Sequence, residues 1–226
     1  MDAQRDVAAF EFRTILTADV TTDDRARMHA LFDANYRQAN HPYLDKSLTA
    51  LRHAAIAIAA DGRAAGFALG DLRVLDLPRL PATTVAMAGI CCVSPDFRRR
   101  GLFGALETRA MAAGGAMPAG RILTCGRIAH PASMRTMAVN PTVVPRRGVE
   151  LTPWQREVGQ AIADAYGAPA FDPRTFVCGG TGVPIGYPVM EIDVTPEEWI
   201  VFEHVDRDRG DSLLGLAWRP DAPEGW

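Results

Sequence analysis

Residues 93–106 decide the fold, and they read Val-Ser-Pro-Asp-Phe-Arg-Arg-Arg-Gly-Leu-Phe-Gly-Ala-Leu. An apolar strand ends at Val93, a polar turn with three consecutive arginines follows, and a helix opens at Gly101. Free backbone N–H groups and the helix dipole make such a helix start a binding site for anions. Glycine at this point permits unusual φ angles and lets a bound group approach the backbone closely. The stretch therefore predicts a strand–loop–helix unit that holds a phosphate-like anion.

Two other phosphate-binding motifs do not fit these residues. The stretch matches neither G-x-G-x-x-G nor G-x-x-x-x-G-K-[ST], which argues against a dinucleotide-binding fold and against a kinase or other P-loop protein. An ordinary strand–turn–helix with a solvated cluster of arginines stays open as the structural alternative.

The chain on either side of this stretch predicts strands interspersed with helices. Thr21 and Asp24 form a capping box before a helix, and Asp61-Gly62 is a strong hairpin signal. Pro78 and Pro81 mark a loop. This order favours a mixed sheet covered by helices. The predicted elements up to residue 140 are strands over 11–17, 54–60, 63–75, 83–93 and 121–125, and helices from 21, over 43–51, from 101 to about 113 and over 131–139.

Beyond Gly148 the predicted structure becomes less regular. The pattern predicts a helix over 154–166, an irregular loop rich in Gly and Pro over 171–187, and two late strands over 198–205 and 212–218. Within the loop, Gly179–Gly182 is either a lid or a plain surface loop. We expect the segment from 149 onward to belong to the same domain.

Composition and charge exclude several function classes. The 48% hydrophobic and 23% charged content is that of an ordinary globular protein, and the formal charge of −3 gives no reason to expect nucleic acid or an anionic membrane as partner. The segment 1–10 lacks the apolar core of a signal peptide. The four cysteines contain no C-x-x-C, so we expect buried thiols in a reducing cytoplasm. The histidines have no spacing typical of a metal site.

The run over 93–104 resembles motif A of the GNAT N-acetyltransferases, V-x-P-x-[FY]-[RQ]-x-x-G-x-[GA]. Val93, Pro95, Phe97, Arg98 and Gly101 match, whereas the last small residue comes one place late. The resemblance covers roughly residues 10–148. It implies an α/β fold of the GNAT kind, with a mixed central sheet that is splayed between two strands and flanked by helices, plus a C-terminal extension. Residues 1–148 would form the acetyl-CoA-binding core, and residues 149–226, in the same domain, would complete the sheet and the acceptor pocket.

The resemblance also implies the cofactor-binding residues. The strand Cys91, Cys92 and Val93 would lie along the pantetheine arm and offer backbone groups to it. The loop and first helical turn would wrap the pyrophosphate through Arg98, Arg99, Arg100, Gly101, Leu102, Phe103 and Gly104.

The catalytic groups of the family are only partly matched. Many members place a tyrosine acid where this chain has Met137, and the strand over 83–93 contains no carboxylate or histidine. His130 is the candidate general base because an unperturbed histidine titrates near neutral pH, although a turn role ahead of Pro131 is the alternative. Asp71, Glu203 and His204 are weaker candidates.

The function that follows is acetyl transfer from acetyl-CoA to an amine by direct attack in a ternary complex, without a metal. The acceptor, a small molecule or a peptide, is not readable from the residues, and a homodimer is compatible with them. Two alternatives stay open: a CoA-binding module without transferase activity, and an anion-binding structural domain whose arginines bind a partner.

Overall fold

The structure is a computed structural model that describes residues 7–168, 170–190 and 192–226. Most of the segment 1–10, on which the argument against a signal peptide rests, lies outside the described residues. In the described part of the chain, no helix is long and apolar enough to cross a membrane.

The chain divides into two compact units. The first unit contains the chain up to Leu72, Met87–Pro118 and Gly186–Met190; the second contains Arg73–Ala86, Ala119–Ile185 and the C-terminal remainder. The predicted division at residue 148 is a different one, and it stays a prediction.

The first unit confirms the predicted order of one strand, two helices and three strands before the arginine-rich loop. Its elements are β1 (Phe10–Leu16), α1 (Thr22–Asn35), β2 (Tyr36–Arg37), α2 (His41–Ala50), β3 (His53–Ala59), β4 (Ala64–Leu77), β5 (Leu80–Val93), α3 (Leu102–Met111) and β9 (Tyr187–Pro188). Strands β4 and β5 are shared with the second unit. The sheet order is β1-β3-β4-β5, and β3 pairs antiparallel with both β1 and β4.

Capping explains where the helices of this unit begin. The Thr21 side chain accepts the backbone N–H of Asp24 at the start of α1, as predicted. Asn40 accepts the N–H of Tyr43 and begins α2 at His41, with Pro42 in the first turn. Helix α2 thus begins at His41, two residues before its predicted start.

Helix α3 packs on β4 because β4 presents glycine at the points of closest approach. A Cβ atom on Gly70 would lie 2.8 Å from the backbone of Ala110, and one on Gly66 would lie 2.9 Å from a methyl group of Leu106. Leu102, Leu106 and Ala110 are fully buried against β1, β3 and β4. Each buried leucine contributes about 2 kcal/mol to this contact, which fixes the orientation of the helix start.

The second unit is built around β10 (Ser212–Arg219), which is buried on both faces over seven of its eight residues. The other elements are β6 (Ile122–Ile128), α4 (Pro131–Ala138), α5 (Pro153–Ala165), β7 (Phe171–Asp172), β8 (Val177–Cys178) and α6 (Pro196–Trp199). The strands follow the order β6-β10-β8-β7, with antiparallel pairs. The α/β class, with a mainly antiparallel sheet and flanking helices, is confirmed.

Two details of the prediction are wrong. The expected strand over 198–205 is α6 followed by a 3-10 helix over Ile200–Phe202. Thr195 and Glu198 form a capping box and Pro196 occupies the first helical position, so the local start signals override the apolar run. The loop predicted at Pro78 and Pro81 is shorter than expected, because β4 ends at Leu77 and β5 begins at Leu80.

Candidate cofactor-binding site

The loop between β5 and α3 reaches the helix through two residues in the left-handed region. The 3-10 turn Pro95–Phe97 is followed by Arg99 with φ 63° and Gly101 with φ 76°. Gly101 is the N-cap residue of α3, and no side chain caps the helix. The N–H groups of the first turn have no partner inside a helix, so those of Leu102–Gly104 are left for an external acceptor.

The space beside Gly104 in this first turn is open. Gly104 is exposed, and a Cβ atom built on it would meet no atom within 4 Å. Leu102 points into the core and is 1% exposed. The first turn of α3 therefore combines a buried anchor with an unobstructed backbone surface, which is the arrangement that an anionic group needs.

The three arginines of the loop take different positions. Arg98 donates from Nη2 to Asn35 Oδ1 at 3.0 Å, and Asn35 in turn donates to the Leu31 carbonyl at 2.7 Å. Arg99 is exposed, whereas the guanidinium of Arg100 lies 5.8 Å from the centroid of the Phe97 ring. The loop thus carries cations next to the open helix start.

Sequence reasoning missed one cation at this loop. Arg63, in the turn after β3, lies 5.0 Å from the Phe97 ring centroid and forms ion pairs with Asp61 and Asp96. These pairs are exposed and contribute little to stability. The hairpin brings Arg63 to a loop that is 33 residues away in the chain, and no local pattern announces such a contact.

The cysteines of β5 are held as neutral thiols. Cys92 is buried, and burial raises its pKa beyond the range of an ordinary thiol. Burial also raises the pKa of Cys91, and the nearby Glu107 carboxyl adds to the effect. The Cys91 Sγ lies 3.9 Å from the Phe103 carbonyl oxygen. Thiolate is the nucleophilic form of cysteine, so neither residue is prepared for covalent chemistry at neutral pH.

His130 belongs to the second unit, where it is the N-cap residue of α4. Its Nδ1 accepts the backbone N–H of Ala132 at 3.2 Å, so the neutral ring carries its proton on Nε2. Burial, together with Arg207 and Arg135, lowers the pKa of His130, and its ring packs edge-on against Trp199 at 5.4 Å. A neutral His130 in this state has a proton to donate and no free nitrogen to accept one.

The weaker candidates for the general base are one buried aspartate and two exposed neighbouring residues. Asp71 is fully buried in the first unit and accepts from Arg52 Nε at 2.7 Å. Glu203 and His204 are exposed neighbours after the 3-10 helix of the second unit, with 3.5 Å between carboxylate and ring nitrogen. Among the described residues, no group of three or more His, Cys, Asp or Glu side chains could hold a metal ion.

Comparison with known proteins gives matches only among solved structures. No protein-family model matches the chain, and no curated protein matches it. The chain is similar to the ribosomal-protein-S18-alanine N-acetyltransferase from Escherichia coli, with 13% identity over 96% of this chain and 99% of that one and a TM-score of 0.44. It is also similar to a GNAT family N-acetyltransferase from Escherichia coli in complex with CoA, with 14% identity over 59% of this chain and 69% of that one and a TM-score of 0.40.

A third similar structure is a fungal multi-domain GH3 β-N-acetylglucosaminidase that has a GCN5-related glucosamine N-acetyltransferase region. The identity is 17% over 70% of this chain, the TM-score is 0.34, and the chain spans only 17% of the length of that protein. These three proteins are N-acetyltransferases or carry such a region, and two of them are named as GNAT or GCN5-related.

Proposed function

We propose that this protein is an N-acetyltransferase that moves the acetyl group of acetyl-CoA to an amine of its acceptor, by direct attack within a ternary complex. The observation that carries the proposal is the start of α3. There an uncapped first turn, a left-handed Gly101 and an open surface at Gly104 lie beside the arginine-rich loop. Backbone N–H groups of this kind suit the pyrophosphate of CoA, and the guanidinium groups offset its charge.

Direct attack is favoured over an acyl-enzyme route by the state of the two thiols nearest the loop. Cys91 and Cys92 have pKa values raised by burial, so at neutral pH they are not thiolates and do not compete with the amine for the thioester. In this proposal the β5 backbone of Cys91–Val93 orients the thioester and polarises its carbonyl. Positioning and fixed dipoles then supply most of the rate.

The departing thiol needs no dedicated acid. Free thiols have a pKa of ~8.5, so a CoA thiolate leaves with modest help from a proton of the solvent or from the amine nitrogen, which becomes cationic once it has attacked. A general acid or base contributes about 10²–10⁴-fold. We therefore expect slow but measurable transfer, with a rate that rises with pH as the acceptor amine loses its proton.

Release of free CoA thiol tests the proposal. The protein is incubated with acetyl-CoA and a panel of amines that includes an aminoglycoside, a polyamine, amino acids and N-terminal peptides, and thiol is followed against a no-acceptor blank. The proposal expects at least one amine to raise thiol release above the blank, with acetylated amine recovered in equal amount. Tight binding of acetyl-CoA without release by any amine would instead favour the CoA-binding module.

A further inference from the structure

A cavity of about 460 Å³ lies between β1 and α3 in the first unit. This volume falls within the ~300–1,000 Å³ of small-molecule sites. The cavity wall combines the 3-10 turn that precedes β1, two aromatic rings and one guanidinium group, contributed by Val7, Ala8, Phe10, Phe12, Ala105 and Arg109.

Arg109 has the geometry of a stacking platform. Its guanidinium carbon lies 3.8 Å from the centroid of the Phe12 ring, and Nη1 donates to the Ala105 carbonyl at 3.3 Å. Neither contact neutralises its charge, and no carboxylate of the described residues forms an ion pair with it. Planar guanidinium groups stack on aromatic rings and on nucleobases. A flat, electron-rich ring in the cavity would extend the Arg109–Phe12 stack.

The cavity adjoins the anion site at the start of α3. Ala105, in the cavity wall, directly follows the open residue Gly104. On the strand side, the Phe10 ring packs edge-on against Phe97 of the loop, with 5.5 Å between ring centroids. Arg100 and Arg63 also lie on Phe97. A ligand whose pyrophosphate rests on the first turn of α3 therefore has the cavity within reach of the group attached to that pyrophosphate.

We infer that this cavity receives the adenosine end of the cofactor, with the adenine ring stacked on the guanidinium of Arg109. The inference rests on the proposed function, because it takes the ligand at the start of α3 to be a CoA thioester. CoA carries a 3′-phosphoadenosine on one side of its pyrophosphate and pantetheine on the other. The cavity thus supplies a site for the half of the molecule that the β5 backbone does not contact.

The test compares acetyl-CoA with acetyl-4′-phosphopantetheine, which lacks the 3′-phosphoadenosine and keeps only one of the two phosphates of the pyrophosphate. Calorimetric titration of the full chain measures both dissociation constants in the wild type, in Arg109→Ala and in Arg109→Lys, which keeps the charge but loses the planar group. Arg27→Ala, on the exposed face of α1, is the control for loss of one positive charge.

We expect Arg109→Ala to weaken acetyl-CoA binding about tenfold, the size of a lost stacking contact, and to leave acetyl-4′-phosphopantetheine binding within about twofold. Arg109→Lys should recover little of the loss, and Arg27→Ala should change neither constant. Should Arg109→Ala fail to fold, Phe12→Leu removes the other half of the platform and should show the same selective loss.

Equal weakening of both compounds, or no change in either, would overturn the adenosine site while acetyl-CoA binding by the wild type still supports the proposed function. If the wild type binds neither compound, the proposed function itself fails and the inference fails with it. Adenosine 3′,5′-bisphosphate serves as a third probe. This bisphosphate should compete with acetyl-CoA for the wild type and should no longer compete for Arg109→Ala.

Discussion

Glu107 should make the stability of the protein fall as the pH rises. This residue of α3 is half-buried, and burial is the cause that raises the pKa of its carboxyl from 4.5 to about 7. The folded state therefore holds the proton more tightly than the unfolded state does. The associated stability is fully present below the unfolded pKa and is lost as the pH rises through the folded pKa.

The structure sets the size of the effect. The difference between 4.5 and about 7 corresponds to about 3 kcal/mol of unfolding free energy. Glu107→Gln removes the titration and keeps the shape of the side chain. The variant should be close to wild type at about pH 5 and more stable by about 2–3 kcal/mol at about pH 8.5.

Urea denaturation at several pH values measures this difference directly. Comparing the variant with the wild type cancels the contributions of the other carboxyl groups to the unfolding free energy. Several of these groups, such as Asp24 and Asp45, have lowered pKa values, so their contribution to stability increases with pH. Glu157→Gln, at an exposed position of α5, controls for loss of a surface carboxylate. Parallel stability curves for wild type and Glu107→Gln would refute the burial argument for this carboxyl.

Three further predictions concern the second unit and the whole protein. His130→Ala should lose about 1 kcal/mol of stability and leave the pH profile of thiol release unchanged. His130→Asn should restore the cap of α4 and with it the stability. A flattened pH profile with a loss of about 10²-fold or more in kcat would instead identify His130 as the general base. Gly180→Ala should destabilise the protein by about 2 kcal/mol or more, because its Cβ would lie 1.9 Å from the Arg209 carbonyl oxygen, and thermal melting shows this. Chelator should change neither melting temperature nor thiol release, and a loss of either would reveal a metal site.

The arginine-rich loop shows what could be predicted from sequence. Strand, turn and helix follow one another within 93–106, and each leaves a local signal: an apolar run, a polar turn with glycine, and helical spacing after it. The structure places β5, the loop and α3 as these signals predict. The hairpin at Asp61-Gly62 and the cap at Thr21 were predictable for the same reason, since both are interactions between near neighbours in the chain.

The features that the sequence did not predict correctly are of two kinds: contacts between residues far apart in the chain, and a segment where two local signals compete. The Arg98–Asn35 hydrogen bond joins residues 63 positions apart, and the stack of Arg109 on Phe12 joins α3 to the first strand. No fixed spacing between residues in the sequence predicts either contact. The error over 198–205 has another origin: the run Trp199–Phe202 is apolar enough for a strand, but the capping box at Thr195 starts a helix there. The T-P-E-E signal was present in the sequence and outweighs the propensity of the residues after it.

Binding of acetyl-CoA at the start of α3 is tested most directly by thermal melting with and without millimolar acetyl-CoA, in wild type, Gly101→Val and Gly148→Val. Both glycines have positive φ, 76° and 70°, and a Cβ at Gly148 meets nothing within 4 Å, so both variants carry a similar backbone strain of about 1–2 kcal/mol. At a hundred times the dissociation constant, the ligand should stabilise the wild type and Gly148→Val by about 2.7 kcal/mol, whereas Gly101→Val should show no shift. An unchanged melting temperature in the wild type, or an equal shift in Gly101→Val, would contradict the assignment of the cofactor to this loop.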